Sequence, residues 1–373
     1  MCGLCTRGEF CKVLLNTTLC AGRGRPDAGR DVSQDIRREN RVLTSSPVRV
    51  PRGFVAIAIA TALLFVLGAV IPAAQSSISH AALIGMLPLA AVLAAAGLGQ
   101  MLVVQQGGID LSVAGGISLA VVTVVRLPAG DDALLVPAIL VAVGFAIAAG
   151  LLNGFLVSRL RLNSIVATLG MNAVMYGVIF VISGGTPRTT THLLASVVGG
   201  ATILGVPNSA WFALAALVIV SVVVKKTVAG RRFEAIGANA RAARAVGLRV
   251  RLHQTLSFVW AQLLYCLAGI LFAGINNQPT AFQGDGQLLP SVAVVVLAGT
   301  SLLGGRGFPV STVIAALFLT QLTQFVHALG VDTSVQTLVQ AIALVVGVGL
   351  YSVNWGAVRR RLFPDRADRA LPA

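Results

Sequence analysis

The sequence predicts an all-α membrane protein, a polytopic bundle of about ten transmembrane helices. Its 373 residues are 56% hydrophobic and only 11% charged, whereas soluble globular chains carry about 25% charged residues. Apolar residues gather into ten runs, most of them close to the roughly 20 residues that a helix needs to cross a bilayer. Basic residues fall between these runs. Such a composition cannot cover a water-soluble surface, so most of the chain after residue 53 is expected to face lipid or other protein.

The ten apolar runs define the predicted elements in order. They cover approximately 54–74, 82–104, 111–126, 134–157, 164–183, 210–224, 255–275, 289–303, 308–329 and 335–355. The runs 111–126, 210–224 and 289–303 are short for a full span. They are predicted to be broken or re-entrant, which a membrane tolerates only where protein or a water-filled cavity covers the backbone.

The distribution of basic residues predicts the topology. With the N-terminus inside and the spans alternating, 26 of the 28 Arg and Lys residues fall on the inner side, and only Arg126 and Arg188 fall outside. This asymmetry follows the positive-inside rule and places both termini in the cytoplasm. The chain then divides into a cytoplasmic tail over 1–53, expected to be disordered, a transmembrane domain over 54–358 and a cytoplasmic C-terminal tail over 359–373.

Several other classes of function are disfavoured. The net charge of +15 lies between apolar runs, which is a topology signature, and no nucleic-acid-binding motif accompanies it. The segment 304–307, Gly-Gly-Arg-Gly, lacks the Lys-Ser/Thr of a phosphate-binding loop. No catalytic residue, metal site or cofactor bound by this chain is predicted. The cysteines Cys2, Cys5, Cys11 and Cys20 lack the paired spacing of a zinc ribbon and are interpreted as part of a reduced tail, with a metal site as the alternative.

The longest inner loop, 225–254, contains a predicted helix that leaves the membrane. Asn239 is a favourable N-cap, residues 240–246 are mostly strong helix formers, and Gly247 suits the position just after a helix. The helix would present small and basic side chains, namely Arg241, Ala242, Ala243 and Arg244. Two interpretations stay open: a docking helix for a cytoplasmic partner, or a basic loop that rests on anionic lipid headgroups.

Polar side chains within the predicted spans are few, and each has two interpretations. Asp110 follows two glycines and precedes an apolar run. It either caps the next helix or takes part in transport, since intramembrane carboxylates are costly and often functional. Uncharged polar residues occur at Asn153, Asn172, Gln262 and Gln324. Their amides either form hydrogen bonds between helices or match the hydroxyl groups of a sugar-like solute.

Five segments together resemble one known family. The inner loop from Gly230 to Gly247 reads Gly-Arg-Arg-x-x-Ala-Ile-Gly-x-Asn-x-x-Ala-Ala-x-x-x-Gly. It looks like the cytoplasmic coupling loop of the ribose/xylose-type ABC transporter permeases. The other four segments agree in order: GGIDLSV at 107–113, GLLNG at 150–154, IVATLG at 165–170 and VVLAGTSLLGGRG at 295–307. The resemblance covers about residues 54–358.

The resemblance implies a permease with a type II importer-like helical bundle in a bacterial inner membrane, moving a sugar or sugar-like solute. It implies a second permease subunit, cytoplasmic ATPase subunits that would hold ATP and Mg²⁺, and an extracytoplasmic solute-binding protein. The residues expected to couple to the ATPase are Glu234, Gly237, Asn239, Arg241, Ala242, Ala243, Arg244 and Gly247. Those expected in the translocation pathway or its structural motifs are Asp110, Asn153, Thr168, Asn172, Gln262 and Thr300.

Two alternatives stay open. The segment 288–293, Leu-Leu-Pro-Ser-Val-Ala, stands where the family often has Glu-Leu-Asp-Ala-Ile-Ala, so both acidic residues are missing. Within the same superfamily, a permease for nucleosides or branched-chain amino acids is the alternative. From another class, the alternative is an ion-coupled secondary transporter, although such proteins usually place ionisable residues inside their spans.

Overall fold

The structure of the chain, a computed structural model, describes residues 52–184, 189–202 and 205–332, with a few separate positions between 334 and 345. Several predictions fall outside these residues. They concern most of the N-terminal tail with its four cysteines, the C-terminal tail at 359–373 and most of the tenth span at 335–355.

Twelve α-helices lie between Arg52 and Ala328, and the separate described positions between 334 and 345 are helical as well. The twelve are α1 (Arg52–Val70), α2 (His80–Gln105), α3 (Val113–Arg126), α4 (Leu135–Ser158), α5 (Ser164–Ser183), α6 (His192–Gly199), α7 (Asn208–Lys226), α8 (Val228–Ala238), α9 (Ala240–Ala245), α10 (Val250–Ile275), α11 (Leu288–Leu297) and α12 (Pro309–Ala328). Short 3₁₀ segments lie at Pro72–Ile78, Asp132–Leu134 and Asp285–Gln287. The all-helical prediction is confirmed.

Seven helices in the described part of the chain are long and apolar enough to cross a membrane: α1, α2, α4, α5, α7, α10 and α12. The apolar helices α3 and α11 are shorter, as predicted for the runs 111–126 and 289–303. The same prediction for 210–224 is wrong, because α7 is one uninterrupted helix of 19 residues. Polar residues at both of its ends extend it beyond the apolar window, Asn208 and Ser209 at its start and Lys225 and Lys226 at its end.

Helices α2 and α10 form the centre of the bundle and pack against each other. Helix α10 contacts α2, α3, α4 and α6, and α2 also contacts α7, α11 and α12. The second half of α2 is buried without interruption from Ala90 to Gln105. Its residues there are mainly alanine, glycine, valine and leucine, and small side chains allow helices in a membrane to approach closely.

Glycines bring α4 against α10. A Cβ atom added at Gly150 would lie 2.5 Å from the Cα of Val259, and one added at Gly154 would lie 2.7 Å from the Cα of Thr255. Near this crossing the Ser158 and Thr255 hydroxyls are 2.8 Å apart and hydrogen-bonded. The two backbones are therefore in direct contact, and no larger residue fits at either glycine.

Two non-helical segments enter the bundle and meet at the start of α3. The first, 106–112, connects α2 to α3, and its Asp110 has no exposed surface. The second, 276–287, connects α10 to α11, and its Gly284 N–H donates to the Ser118 hydroxyl (2.9 Å). Helices α3 and α11 are short because each begins where one of these segments ends inside the bundle.

The loops that were predicted to share a side do meet in space. At one end the Gly305 N–H donates to the Gln105 carbonyl (2.9 Å), which joins the end of α2 to the turn before α12. At the other end the Thr190 N–H donates to the Asn277 carbonyl (3.1 Å), and the Asp132 carboxylate accepts from the Leu193 N–H (2.9 Å). These contacts agree with the predicted alternation of the spans.

The α4–α10 crossing generates a stability prediction. Gly150→Ala forces two backbones apart, so it should destabilise the protein by about 1–3 kcal/mol, the usual cost of overpacking. Gly144→Ala on the same helix meets nothing within 4 Å and should leave stability unchanged or slightly higher, because alanine favours helix by about 1 kcal/mol over glycine. Thermal unfolding in detergent measures both variants. Equal midpoints for the two would contradict the close crossing.

Candidate functional site

One polar stripe on α5 holds the non-helical segment that precedes α3. Three residues spaced four apart, Ser164, Thr168 and Asn172, lie along this stripe. The Ser164 hydroxyl accepts from the Ile109 N–H (3.2 Å), and the Thr168 hydroxyl accepts from the Leu111 N–H (2.9 Å). The side-chain amide oxygen of Asn172 accepts from the Gly115 N–H (2.7 Å). Backbone groups that no helix satisfies are thus satisfied by side chains, as a membrane interior requires.

Asp110 lies at the centre of a closed polar cluster. Its carboxylate accepts from both the N–H and the hydroxyl of Ser112 and lies 3.5 Å from the Gln262 amide nitrogen. The Ser112 hydroxyl in turn accepts from the Asn153 amide (2.9 Å) and from the Gln262 amide (2.7 Å). Helices α4 and α10 therefore each contribute one amide to the entry of α3. Ser112 occupies the N-cap position of α3, and Asp110 lies two residues before it.

Two further members of the cluster escaped the sequence-based prediction. The Gln100 amide nitrogen donates to the Tyr265 hydroxyl (2.8 Å) and to the Asp110 carbonyl (3.0 Å), and its oxygen accepts from the Asp110 N–H (3.2 Å). Gln100 on α2 and Tyr265 on α10 are both fully buried. The signal was present, since an amide within an apolar run is costly to bury unless it is hydrogen-bonded.

The cluster joins four helices and excludes solvent. Its side chains on α2, on α4, at the entry to α3 and on α10 have no exposed surface; they are Gln100, Asp110, Ser112, Asn153 and Gln262. A carboxylate in such a place is stabilised by the donors around it. In this conformation these residues form a structural junction, and a solute has no access to them.

Thr300 and Gln324 lie away from this cluster. Thr300 follows α11, where its N–H donates to the Val295 carbonyl (3.2 Å) and Gly299 adopts a positive φ of 82°, an arrangement that ends helices. The Gln324 amide donates to the Ala82 carbonyl (2.8 Å) and so connects α12 to α2. Gln324 therefore forms a hydrogen bond between helices, which is the first of the two interpretations given for the intramembrane amides. Thr300 lies in the turn that ends α11, apart from Asp110, and its place in the translocation pathway or its structural motifs stays a prediction.

The predicted capped helix in the inner loop is confirmed as α9. The Asn239 side chain accepts from the N–H groups of Arg241 (3.1 Å) and Ala242 (3.0 Å). At the other end Gly247 has φ 82°. Its N–H donates to the Arg244 carbonyl (3.0 Å), and the next N–H, from Leu248, donates to the Ala243 carbonyl (3.0 Å). This pair of bonds is the Schellman motif, which satisfies the last carbonyls of a helix.

Three residues of the predicted coupling set face the protein itself. Ala243 is only 5% exposed and packs with Ile236 and Val250, so its predicted direct contact with a partner is wrong. A Cβ at Gly237 would lie 2.1 Å from the Gln105 carbonyl oxygen, so Gly237 serves a backbone contact with the end of α2. Glu234 forms an ion pair with Lys225, across the α7–α8 turn.

The rest of α9 is available to a partner. The exposed residues along it are Arg241, Ala242, Arg244, Ala245 and Val246, and Val246 is 76% exposed. We call these residues the α9 face. Beneath it, the buried group formed by Ile236, Ala243 and Val250 connects α8 and α9 to the first turn of α10. A displacement of the α9 face would therefore pass to α10 through packed side chains.

Comparison with known proteins identifies the family. A family model described as the permease component of the branched-chain amino acid transport system matches residues 82–348. The chain belongs to this permease family. It is 37% identical over 258 residues to a probable ABC transporter permease protein of Sinorhizobium fredii, an alignment that covers 67% of this chain and 75% of the relative. It is therefore a multi-pass membrane protein and a transport component, not a catalyst.

Two relatives carry names that mention a solute. The ribose import permease protein of Bacillus subtilis is 35% identical over 255 residues, covering 67% of this chain and 78% of the relative. The galactofuranose transporter permease protein of Escherichia coli is 31% identical over 256 residues, covering 68% and 75%. No solved structure matches the chain. Within the described residues, no group of three or more His, Cys, Asp or Glu is placed to hold a metal ion.

The α5 stripe generates a second prediction. Thr168→Val preserves shape but leaves the Leu111 N–H without its acceptor inside the bundle, so it should destabilise the protein by about 1–3 kcal/mol. Thr320→Val is the matched control, since the Thr320 hydroxyl only donates to the Ala316 carbonyl of its own helix. Thermal unfolding in detergent compares the two. A Thr168→Val midpoint no lower than that of Thr320→Val would contradict the role of the stripe.

Proposed function

We propose that this chain is the membrane-spanning subunit of a bacterial ABC importer that carries a sugar or sugar-like solute. The observation that supports this most is the family match over residues 82–348, joined to a capped helix whose small and basic side chains face away from the bundle. Relatives named for ribose and galactofuranose support the sugar. Among the described spans, ionisable side chains are rare, which disfavours the ion-coupled alternative.

The energy would come from other chains. Cytoplasmic ATPase subunits would hold ATP and Mg²⁺, and a solute-binding protein would deliver the solute from outside. A second permease subunit, this chain or a homologous one, would complete the pathway. In this arrangement the ATPase binds the α9 face, and its closure moves α8 and α9 as one body with the start of α10. Since α10 also holds Gln262 and Tyr265, that movement reaches the Asp110 cluster.

The family description names branched-chain amino acids, so an amino acid or nucleoside is the second candidate for the solute. The two solute classes differ in charge. An amino acid carries an ammonium and a carboxylate, and a buried pathway must balance both. A sugar needs only uncharged donors and acceptors. Uptake of labelled D-ribose against labelled L-leucine by the assembled transporter in vesicles distinguishes them, and saturable leucine uptake without ribose uptake would overturn the sugar assignment.

The orientation proposed here places α9 and both termini in the cytoplasm. Single cysteines test it in a variant whose five native cysteines are replaced by serine. Cysteine at Ser196 on α6 should react with a membrane-impermeant maleimide added outside intact cells, because that residue is exposed at the opposite end of the bundle from α9. Cysteine at Ala242 should react only after the membrane is opened. Reaction of both positions from outside is incompatible with this topology.

Coupling through the α9 face is tested by Ala242→Glu. Ala242 is exposed, so the variant should fold and insert normally, yet a bulky charge on this face should reduce co-purification with the ATPase and lower uptake at least tenfold. Ala242→Ser is the conservative control, and Ser196→Glu places the same charge at the other end. Ala243→Glu is unsuitable, because Ala243 is buried and the change would disrupt α9 itself. If Ala242→Glu binds the ATPase and takes up solute normally, the α9 face is not the docking site, and the loop is a basic segment that rests on lipid headgroups.

A further inference from the structure

An exposed carboxylate, Asp285, lies beside a group of aromatic rings between α5 and the segment that precedes α11. The Tyr176 hydroxyl donates a hydrogen bond to the Asp285 carboxylate. The Phe282 ring packs against Tyr176 in an edge-to-face arrangement, with ring centroids 5.1 Å apart, and against Phe180 at 5.5 Å. Asp285 is exposed, and Tyr176 and Phe282 are half-buried. We call Tyr176, Phe282 and Asp285 the aromatic–carboxylate patch.

The patch lies at membrane depth. Tyr176 is the twelfth residue after Ser164, the first residue of α5, which places it about 18 Å along the helix axis. The hydrocarbon core of a bilayer is roughly 30 Å thick. The neighbouring Gly284 lies inside the bundle, because its N–H donates to Ser118 on α3 (2.9 Å), about one and a half turns after that helix begins.

A carboxylate at this depth cannot face lipid, because a charge in hydrocarbon is too costly. No described basic side chain forms an ion pair with Asp285; the ion pair found among the described residues joins Lys225 to Glu234. The Tyr176 hydroxyl satisfies only one of the carboxylate's several acceptor positions. The remaining acceptors must therefore meet water, a solute, or polar groups of another subunit.

We propose that the aromatic–carboxylate patch is a solute-contacting station of the translocation pathway and that it takes a polyhydroxylated, uncharged ring compound. This inference rests on the proposed function and adds residues and chemistry to it. The Asp285 carboxylate can accept from neighbouring hydroxyls of the solute, and the Tyr176 phenol can both donate and accept. The rings of Phe282 and Phe180 give the flat apolar surface on which the C–H face of a sugar ring can pack.

The position of the patch also fits a moving pathway. Tyr176 continues the α5 stripe of Ser164, Thr168 and Asn172, which bind N–H groups of the segment before α3 and of the first turn of α3. Asp285 belongs to the second non-helical segment, the one before α11. In the patch, a side chain of the α5 stripe therefore contacts the segment 276–287. A shift of that segment would change the distance and orientation of the Asp285 carboxylate relative to Tyr176.

Cysteine accessibility tests the location without any knowledge of the solute. In the cysteine-free variant, Asp285→Cys should react with the charged, membrane-impermeant reagent MTSES in vesicles that contain the assembled transporter. Val174→Cys is the matched control, since Val174 is 59% exposed at similar depth on α5, on an apolar face, and should not react. If Asp285→Cys is as unreactive as Val174→Cys, the site is covered by lipid or a second subunit and the proposal is overturned.

Uptake of ¹⁴C-labelled D-ribose tests the chemistry. Asp285→Asn keeps the shape but removes the charge and should lower the rate of uptake at saturating binding protein at least tenfold, with assembly and ATPase binding intact. Tyr176→Phe should lower it less. Asp131→Asn, an exposed carboxylate of an outer loop, should transport like wild type. Wild-type rates for Asp285→Asn would overturn the proposed contact.

The two proposals fail in different ways. If the wild-type transporter takes up L-leucine and no D-ribose, the sugar assignment of the proposed function fails, and the reactivity of Asp285→Cys still decides whether the patch lines a pathway. If wild type takes up ribose and Asp285→Cys does not react, only the location proposed for the patch fails.

Discussion

Backbone groups inside a membrane must find hydrogen-bond partners, and the rest of this structure depends on how that constraint is met. Two segments of the bundle, 106–112 and 276–287, lie outside the α-helices, so several of their N–H and carbonyl groups have no partner within an α-helix. The polar stripe on α5 meets this need for the first segment. Its first three members bind N–H groups at the entry to α3. Tyr176, one turn further, donates to the side-chain carboxylate of Asp285 in the second segment, so one helix contacts both interruptions.

The buried cluster around Asp110 adds rigidity on the opposite side of the same segment. Gln100, Asn153 and Gln262 reach it from α2, α4 and α10, so four elements share one network. The hydrogen bonds fix the amide nitrogens of Asn153 and Gln262, whereas the side-chain oxygens of both residues are buried without a partner in this conformation. Here α5 and the cluster clamp the segment 109–115 from two sides. A conformational change is therefore expected to move these elements as packed bodies, since interiors resist continuous deformation.

Much of this could be read from the sequence, and the failures have local causes. Both ends of α9 were predictable, because the Asn239 cap and the Gly247 stop are short-range signals. The orientation of α9 was not, although Ile236, Ala243 and Val250 lie seven residues apart, a spacing that indicates one buried face. Ser164 and Tyr176 were overlooked because their partners are 55 and 109 residues distant along the chain. Pairing at that range depends on tertiary structure, which no local pattern contains.

The contact between the inner loop and the bundle is made largely by backbone, and the Gln106 side chain also donates to the Phe233 carbonyl (2.9 Å). Gly237 packs on the Gln105 carbonyl, a Cβ at Gly304 would lie 2.7 Å from the Gly237 carbonyl oxygen, and the Gly305 N–H donates to Gln105. Gly304 and Gly305 both have positive φ, at 90° and 102°, a conformation that favours glycine. A side chain can adopt another rotamer when a helix moves, whereas backbone atoms in direct contact have no such freedom. A displacement of α8 and α9 should therefore move the end of α2 and the turn before α12 directly, while the Ile236–Ala243–Val250 group transmits it to α10.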